Sequence, residues 1–303
     1  MATDAPQPWI APLDTVASRR YSPAQATGDR VPTGVADFDY LTGGLPAGSV
    51  VLLIGEAGAG HQEFALTSAV HMMLHHDEPD THGLFLGNAH GPFVFPRGIA
   101  YVSATRSKEQ VLREVAGTFE PSYHAALERH LHFHDVSRAY FSDSVVPAGW
   151  TAAASSLLAA APLATPSDPL AAIADAVEAD GPSNLVLIDS LTDLLVRKGI
   201  EVESILTLVK GLRRRAKAWG GVVYLLLSRG VAADSVEKAL YDSVDGVLSF
   251  TWTAGPYSSH RNRTMLIEKF MSVLSRIPPE LQGRFVIRVS ALNGLVTTQY
   301  ERI

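Results

Sequence analysis

The sequence predicts an α/β protein with a mainly parallel sheet, helices on both faces and antiparallel strands near its C-terminal end. Apolar strand patterns alternate with helical patterns from residue 49 to residue 228, and such alternation is typical of parallel sheets. Residues 284–289 and 294–298 form two strand patterns around a short turn, which predicts an antiparallel hairpin. With 303 residues and 47% hydrophobic content, the chain can bury a substantial core.

The individual elements are predicted from apolar runs, turn residues and helix caps. A buried strand at 49–54 leads into a glycine-rich turn, and apolar residues at helical spacing predict a helix at 63–74. Asp168 followed by Pro169 is a typical helix start. The same signals predict further strands at 98–103, 131–136, 184–190, 220–228, 244–253 and 263–270, and helices at 107–119, 169–177 and 202–219.

The positions of proline-, glycine- and alanine-rich segments predict the domain boundaries. We predict a flexible leader at 1–28 and a single domain at 29–303, with insertions at about 76–97 and 137–168.

The composition excludes several kinds of site and partner. The absence of cysteine excludes disulfides and thiolate metal sites. Neither a secretory leader nor a membrane-spanning apolar run is present, so we expect a cytoplasmic protein without membrane contact. A net charge of −6 makes nucleic acid an unlikely partner.

The turn between the first strand and its helix has the glycine spacing of a phosphate-binding loop. It reads Gly55, Glu56, Ala57, Gly58, Ala59, Gly60, His61, Gln62. In the Walker A pattern a lysine and a serine or threonine follow the last glycine, where they serve the terminal phosphate and Mg²⁺. His61 and Gln62 occupy those two positions. The loop is therefore either a vestigial nucleotide site or a plain turn.

A carboxylate at the end of a second apolar strand is the other nucleotide signal. Residues 185–188 are apolar and Asp189 follows them, as in a Walker B strand, whose aspartate holds Mg²⁺ directly or through water. The alternative is an aspartate that caps the next turn. We predict no bound metal ion at this strand end unless Asp189 holds Mg²⁺.

Several histidines and a run of basic residues are either binding sites or ordinary structural features. His130, His132 and His134 would point to one face of a strand and could bind Zn²⁺ or Ni²⁺, or form a solvated face. His71 and His75 lie four residues apart, but the His-Glu-x-x-His pattern is absent. The basic residues at 213–217 could contact phosphates or cap a helix end.

The N-terminal part of the predicted domain carries a family resemblance. Residues 31–49 read VPTGVADFDYLTGGLPAGS, which is similar to the opening segment of the KaiC-like branch of the RecA superfamily, common in archaea. Residues 188–192, which read IDSLT, are similar to the family's Walker B strand, and the resemblance covers roughly residues 31–300. It implies a RecA-type ATPase core that assembles head to tail, with ATP at the subunit interface.

Departures from that family pattern affect each catalytic part except Asp189. Thr105 and Arg106 stand where the family has the paired glutamates that activate water. Lys269 matches the lysine of the family's late Lys-x-Arg signature, but Met271 replaces its arginine. With His61 and Gln62 also substituted, we predict a pseudo-ATPase with no catalytic residues, to which ATP and Mg²⁺ bind weakly or not at all.

The expected role is therefore a non-catalytic, regulatory or scaffold protein in signalling, which works through a protein partner or through self-association. One alternative is an ATP-binding switch with little or no hydrolysis. Another is a DNA-recombination accessory of the RecA superfamily, for which the basic run at 213–217 is the only support.

Overall fold

The computed structural model describes residues 29–79, 86–87, 93–151, 168–254, 261–279 and 282–302. The predicted leader and large parts of the predicted insertions at 76–97 and 137–168 lie outside the described residues. The division into one domain with a leader and two insertions therefore stays a prediction. In the described ranges, no helix is long and apolar enough to cross a membrane.

The main sheet combines parallel and antiparallel strands as the sequence predicted. The strands are β1 (Arg30–Val31), β2 (Leu45–Pro46), β3 (Ser49–Gly55), β4 (Ile99–Ser103), β5 (Leu131–Asp135), β6 (Leu185–Asp189), β7 (Val222–Ser228), β8 (Gly246–Ala254), β9 (Arg261–Lys269), β10 (Gly283–Ser290) and β11 (Gly294–Arg302). Nine of the described strands form one sheet, in the order β11-β10-β9-β8-β3-β7-β6-β4-β5. The pairs from β8 to β5 are parallel, and those from β8 to β11 are antiparallel. The predicted fold class is confirmed.

The described α-helices lie mainly between the parallel strands. They are α1 (Ala36–Thr42), α2 (His61–Asp77), α3 (Lys108–Thr118), α4 (Pro121–His130), α5 (Ser137–Tyr140), α6 (Pro169–Asp180), α7 (Leu191–Val196), α8 (Val202–Ala216), α9 (Asp234–Ser243) and α10 (Met271–Leu274). The sequence did not predict α1, α4, α5, α7, α9 or α10. Each is short, with ten residues or fewer, so the apolar periodicity that identifies a helix is weak in them.

Strand β3 is buried on both faces, which explains its continuous apolar run. Val51 and Leu53 pack in the cluster that contains Phe64 of α2. Val50, Leu52 and Ile54 pack in the opposite cluster, with Val209 of α8. This double burial places the C-terminal end of β3, and the glycine loop that follows it, at one edge of a rigid core.

Asp39 anchors the segment that carries the family resemblance. Its buried carboxylate accepts four hydrogen bonds, two from the Thr33 N–H at 2.8 and 2.9 Å, one from the Thr33 hydroxyl at 2.9 Å and one from the Gly34 N–H at 2.8 Å. Burial raises the pKa of Asp39 to about 7, although these donors act in the opposite direction. The aspartate thus closes the turn that leads into α1.

His71 of α2 makes the stability of the fold depend on pH. It is buried between the Gly34 carbonyl, 2.7 Å from Nδ1, and the Tyr123 hydroxyl, and burial lowers its pKa to about 4. The unfolded chain binds the proton with a pKa of about 6.5. Stability from this residue is therefore complete above pH 6.5 and is lost as the pH falls from 6.5 towards 4, by about 2 kcal/mol between pH 7.5 and pH 5.

We expect this loss to disappear in His71→Gln. Because Asp39 titrates in the opposite sense, the measurement is the difference in urea unfolding free energy between wild type and variant at pH 7.5 and at pH 5. The matched control is His124→Gln on α4, a partly exposed histidine. An equal pH dependence in wild type and His71→Gln would contradict the prediction.

Candidate functional site

The glycine loop joins β3 to α2, as the sequence predicted. Gly58 and Gly60 have positive φ angles of 69° and 116°, a region that side chains with a Cβ atom rarely enter. Helix α2 begins at His61, two residues before the predicted start at residue 63. Gly60 is its N-cap, so the loop ends directly in a helix N-terminus, the arrangement that favours anions.

His61 does not project from the loop as a phosphate-binding lysine would. Its imidazole lies against Gly55, where a Cβ atom would come within 2.3 Å of the His61 Nδ1 atom. Nδ1 is buried and has no hydrogen-bond partner among the described residues. Burial lowers the pKa of His61, and the nearby carboxylates Glu63 and Asp189 oppose this only in part. The ring is therefore uncharged at neutral pH.

The tip of the loop is held by the neighbouring antiparallel strands, which sequence reasoning missed. The Trp252 indole N–H donates to the Ala57 carbonyl at 3.1 Å, and Arg263 Nε donates to the Gly58 carbonyl at 2.8 Å. Glu56 accepts the Trp252 backbone N–H at 3.1 Å. Trp252 and Arg263 are cross-strand partners in β8 and β9, a pairing that only the fold creates.

Asp189 ends β6 and is engaged by two donors from the β4 side. The Tyr101 hydroxyl donates to Asp189 Oδ2 at 2.5 Å, and Arg106 Nη1 donates to the same oxygen at 2.9 Å. Arg106 also forms an ion pair with Glu114 of α3. Burial tends to lower the pKa of Arg106, but Tyr101, Asp189 and Glu114 outweigh it and the pKa is raised. A charged guanidinium therefore neutralises Asp189.

Thr105, the other residue in place of a family glutamate, bonds to the segment after β6. Its hydroxyl donates to Asp193 Oδ2 at 3.1 Å. The Ser190 hydroxyl donates to the same oxygen at 3.0 Å and caps α7. Thr105 and Arg106 thus both lie beside the segment that begins with Asp189. Their side chains donate hydrogen bonds, whereas the glutamates of the family pattern would accept them.

Lys269 forms hydrogen bonds to backbone carbonyls of its own chain. Its Nζ donates to the carbonyls of Tyr241 at 2.6 Å and Val244 at 2.9 Å, at the end of α9. Burial, and then the positive charge of Arg213, lower the pKa of Lys269. Met271 is 85% exposed. The residue that matches the family's subunit-spanning lysine therefore closes a helix in its own chain.

The prediction that His130, His132 and His134 share one strand face is wrong for His130, which lies in a helix. His130 is the last residue of α4 and lies 2.7 Å from Asp77. His132 and His134 flank Asp180, at 3.4 and 2.7 Å. The helix start was missed because Pro121 follows a glutamate that makes no side-chain cap. In the part of the chain that the structure describes, no three histidines or carboxylates are placed to hold a metal ion.

The basic run at the end of α8 is largely paired with carboxylates. Arg213 and Lys217 contact Asp245 at 2.9 and 3.1 Å. Arg215 forms an ion pair with Glu178. Three of the cations that could meet nucleic acid phosphates are thus already neutralised within the chain.

ATP with Mg²⁺ fits this site only in part. The left-handed glycines and the helix N-terminus suit a phosphate group. The side chains do not fit, because the lysine position holds a buried uncharged imidazole and the Walker B carboxylate is in an ion pair with Arg106. A carboxylate that could activate water is also absent from positions 105 and 106.

Comparisons with known proteins identify the fold. The structure is similar to a KaiC-like protein, PH0186, of the archaeon Pyrococcus horikoshii, with a TM-score of 0.58 and 19% identity over 89% of this chain and 99% of that one. It is also similar to the flagellar accessory protein FlaH of Methanocaldococcus jannaschii, with a TM-score of 0.58 and 14% identity over 89% and 98% of the two chains. No family model and no curated sequence matches. The fold is therefore RecA-like, as the resemblance implied.

Proposed function

We propose that this chain is a RecA-fold protein without ATPase activity, which acts as a regulator or scaffold through contacts with a protein partner or with itself. The observation that carries the proposal is His61. In an active loop the corresponding lysine neutralises the terminal phosphates, whereas here the imidazole is uncharged and turned onto Gly55.

The energetic consequence of this substitution is large for binding and larger for hydrolysis. Loss of one charge-assisted contact costs about 1.5–3 kcal/mol, which is a loss of affinity of roughly 10- to 150-fold. Gln62 also lacks the hydroxyl that would serve Mg²⁺. Phosphoryl transfer depends on positioning and on electrostatic stabilisation, and this loop supplies neither the cation nor the hydroxyl of an active loop.

A role in archaeal signalling is the part of the proposal that rests on analogy. The similar structures include a KaiC-like protein and a flagellar accessory protein, both from archaea. An accessory role does not require nucleotide chemistry, so it is compatible with the altered site. Because one fold supports many functions, the lack of ATPase activity is argued from the site, and only the signalling role comes from the likeness.

The backbone of the loop favours a second candidate function, an ATP-binding switch with little or no hydrolysis. Gly58 and Gly60 keep the left-handed conformation of a phosphate loop, and the N-terminus of α2 follows. In this alternative the backbone amides alone hold the phosphates. The proposed function predicts that this contribution is too weak to bind ATP at cellular concentrations.

Phosphate release from ATP tests the absence of catalysis. With millimolar ATP and Mg²⁺, we expect the wild type to release phosphate no faster than the matched variant Asp189→Asn, because Asp189 plays no catalytic part. Both rates should equal that of buffer. Phosphate release by the wild type that Asp189→Asn abolishes would refute the proposal.

A further inference from the structure

Thr105 and Arg106, which follow β4 after Ala104, each donate to a carboxylate at the end of β6 or shortly beyond it. Arg106 Nη1 lies 2.9 Å from Asp189 Oδ2, and the Thr105 hydroxyl lies 3.1 Å from Asp193 Oδ2. Strands β4 and β6 are parallel neighbours, with Ser103 opposite Asp189 in the register. The two segments therefore leave the sheet side by side, and we call the pair of contacts the Thr105–Arg106 clasp.

The Arg106 contact is the protected part of the clasp. The side chains of Arg106 and Asp189 are 19% and 9% exposed, whereas that of Glu114 is 49% exposed. Tyr101 donates a second hydrogen bond to the oxygen that Arg106 contacts. Burial, followed by the charge of Asp189, raises the pKa of Tyr101 well above its usual value, so this hydroxyl remains a donor. Asp189 is thus both neutralised and hydrogen-bonded by its own chain.

We propose that Arg106 is the resident counter-cation of Asp189 and takes the place that a divalent metal ion has beside the Walker B carboxylate of active RecA-type enzymes. The inference rests on the proposed function and deepens it, because it assigns a cause to the loss of metal binding. The chain carries its own cation at a fixed position, and the site is electrostatically complete without Mg²⁺.

Displacement of this cation by a metal ion is unfavourable for two physical reasons. A divalent ion next to Arg106 would meet a like charge in a partly buried site, where repulsion is poorly screened. If the guanidinium moved away, it would lose its contact with the Asp189 carboxylate and keep only the exposed Glu114. Tyr101 donates to the same carboxylate oxygen as Arg106, so a metal ion on that oxygen would also compete with the hydroxyl.

Removal of the guanidinium should expose a divalent metal site. The probe is Mn²⁺, whose free concentration is followed by electron paramagnetic resonance while protein is added. We expect the wild type to bind no Mn²⁺ that depends on Asp189. Arg106→Gln should bind Mn²⁺ at least ten-fold more tightly than the wild type, and the double variant Arg106→Gln/Asp189→Asn should lose that gain. Arg113→Gln, which removes an exposed arginine from α3, the helix that begins shortly after Arg106, is the matched control and should behave as wild type.

Two outcomes would overturn the inference. One is Asp189-dependent Mn²⁺ binding by the wild type, and the other is a folded Arg106→Gln protein that gains no Mn²⁺ affinity. If Arg106→Gln does not fold, the melting temperature of the wild type with and without millimolar Mn²⁺ decides the question. No shift is expected, and an upward shift that Asp189→Asn abolishes would contradict the clasp. Failure of the proposed function is distinct, since it would appear as phosphate release by the wild type.

Discussion

Replacement of Asp39 with alanine is expected to destabilise the protein by about 3 kcal/mol or more, because several buried donors would lose their acceptor together. The donors are the Thr33 N–H, the Thr33 hydroxyl and the Gly34 N–H. Asp39 and Thr33 are completely buried, so water cannot easily replace the carboxylate. Urea unfolding followed by circular dichroism at pH 7.5 measures the effect.

The matched control for this prediction is Asp234→Ala. Asp234 is an exposed aspartate in the first turn of α9, and among the described residues its ion pair is with the exposed Lys238 four residues later, so its loss should change stability far less than the loss of Asp39. Equal unfolding free energies for Asp39→Ala and Asp234→Ala would mean that the 31–49 segment does not depend on its buried aspartate.

The second large effect is expected at the Thr105–Arg106 clasp, and it should be asymmetric. Arg106→Gln leaves Asp189 with a charge but without its ionic partner, and we expect a loss of about 2 to 3 kcal/mol. Asp189→Asn leaves Arg106 beside Glu114, which is largely exposed, so the loss should be smaller, about 1 kcal/mol. The double variant should be more stable than Arg106→Gln alone.

A double-mutant cycle by urea unfolding separates these three expectations. The coupling energy between Arg106 and Asp189 is the difference between the double variant and the sum of the single variants. Arg113→Gln again provides the surface control. A coupling energy near zero would contradict the ion pair as a stabilising contact, whatever the individual losses are.

The sequence was a good guide to the elements of the sheet, because strands such as β3 and β7 are buried on both faces and therefore have unbroken apolar runs. It was a poorer guide to short helices. In α9 the buried positions include Glu237 and Ser243 beside Leu240, so an apolar stripe cannot be recognised. The bounds of β8, β9 and β10 were predicted within two residues, whereas the predicted end of β11 was four residues short.

The parts of the candidate site that could be predicted are those formed by residues close together in the sequence. The glycine spacing and Asp189 are visible in the sequence, and so are the substitutions at Thr105 and Arg106. The contact between Arg106 and Asp189 was not predictable, because it joins residues 83 positions apart and depends on the adjacency of β4 and β6. The same holds for Trp252, which reaches the loop across 195 positions. Such contacts between distant residues depend on which strands are neighbours in the sheet, and a local sequence motif does not contain that information.

The measurement that tests the central claim most directly is a calorimetric titration of the wild-type protein with ATP and Mg²⁺. We expect no saturable binding up to millimolar ATP, with or without Mg²⁺. The reasons are that His61 is uncharged, that the guanidinium of Arg106 balances the charge of Asp189, and that Gln62 has no hydroxyl to bind Mg²⁺. Micromolar binding that requires Mg²⁺ would contradict the account, since it would show that the loop and Asp189 still form a working nucleotide site.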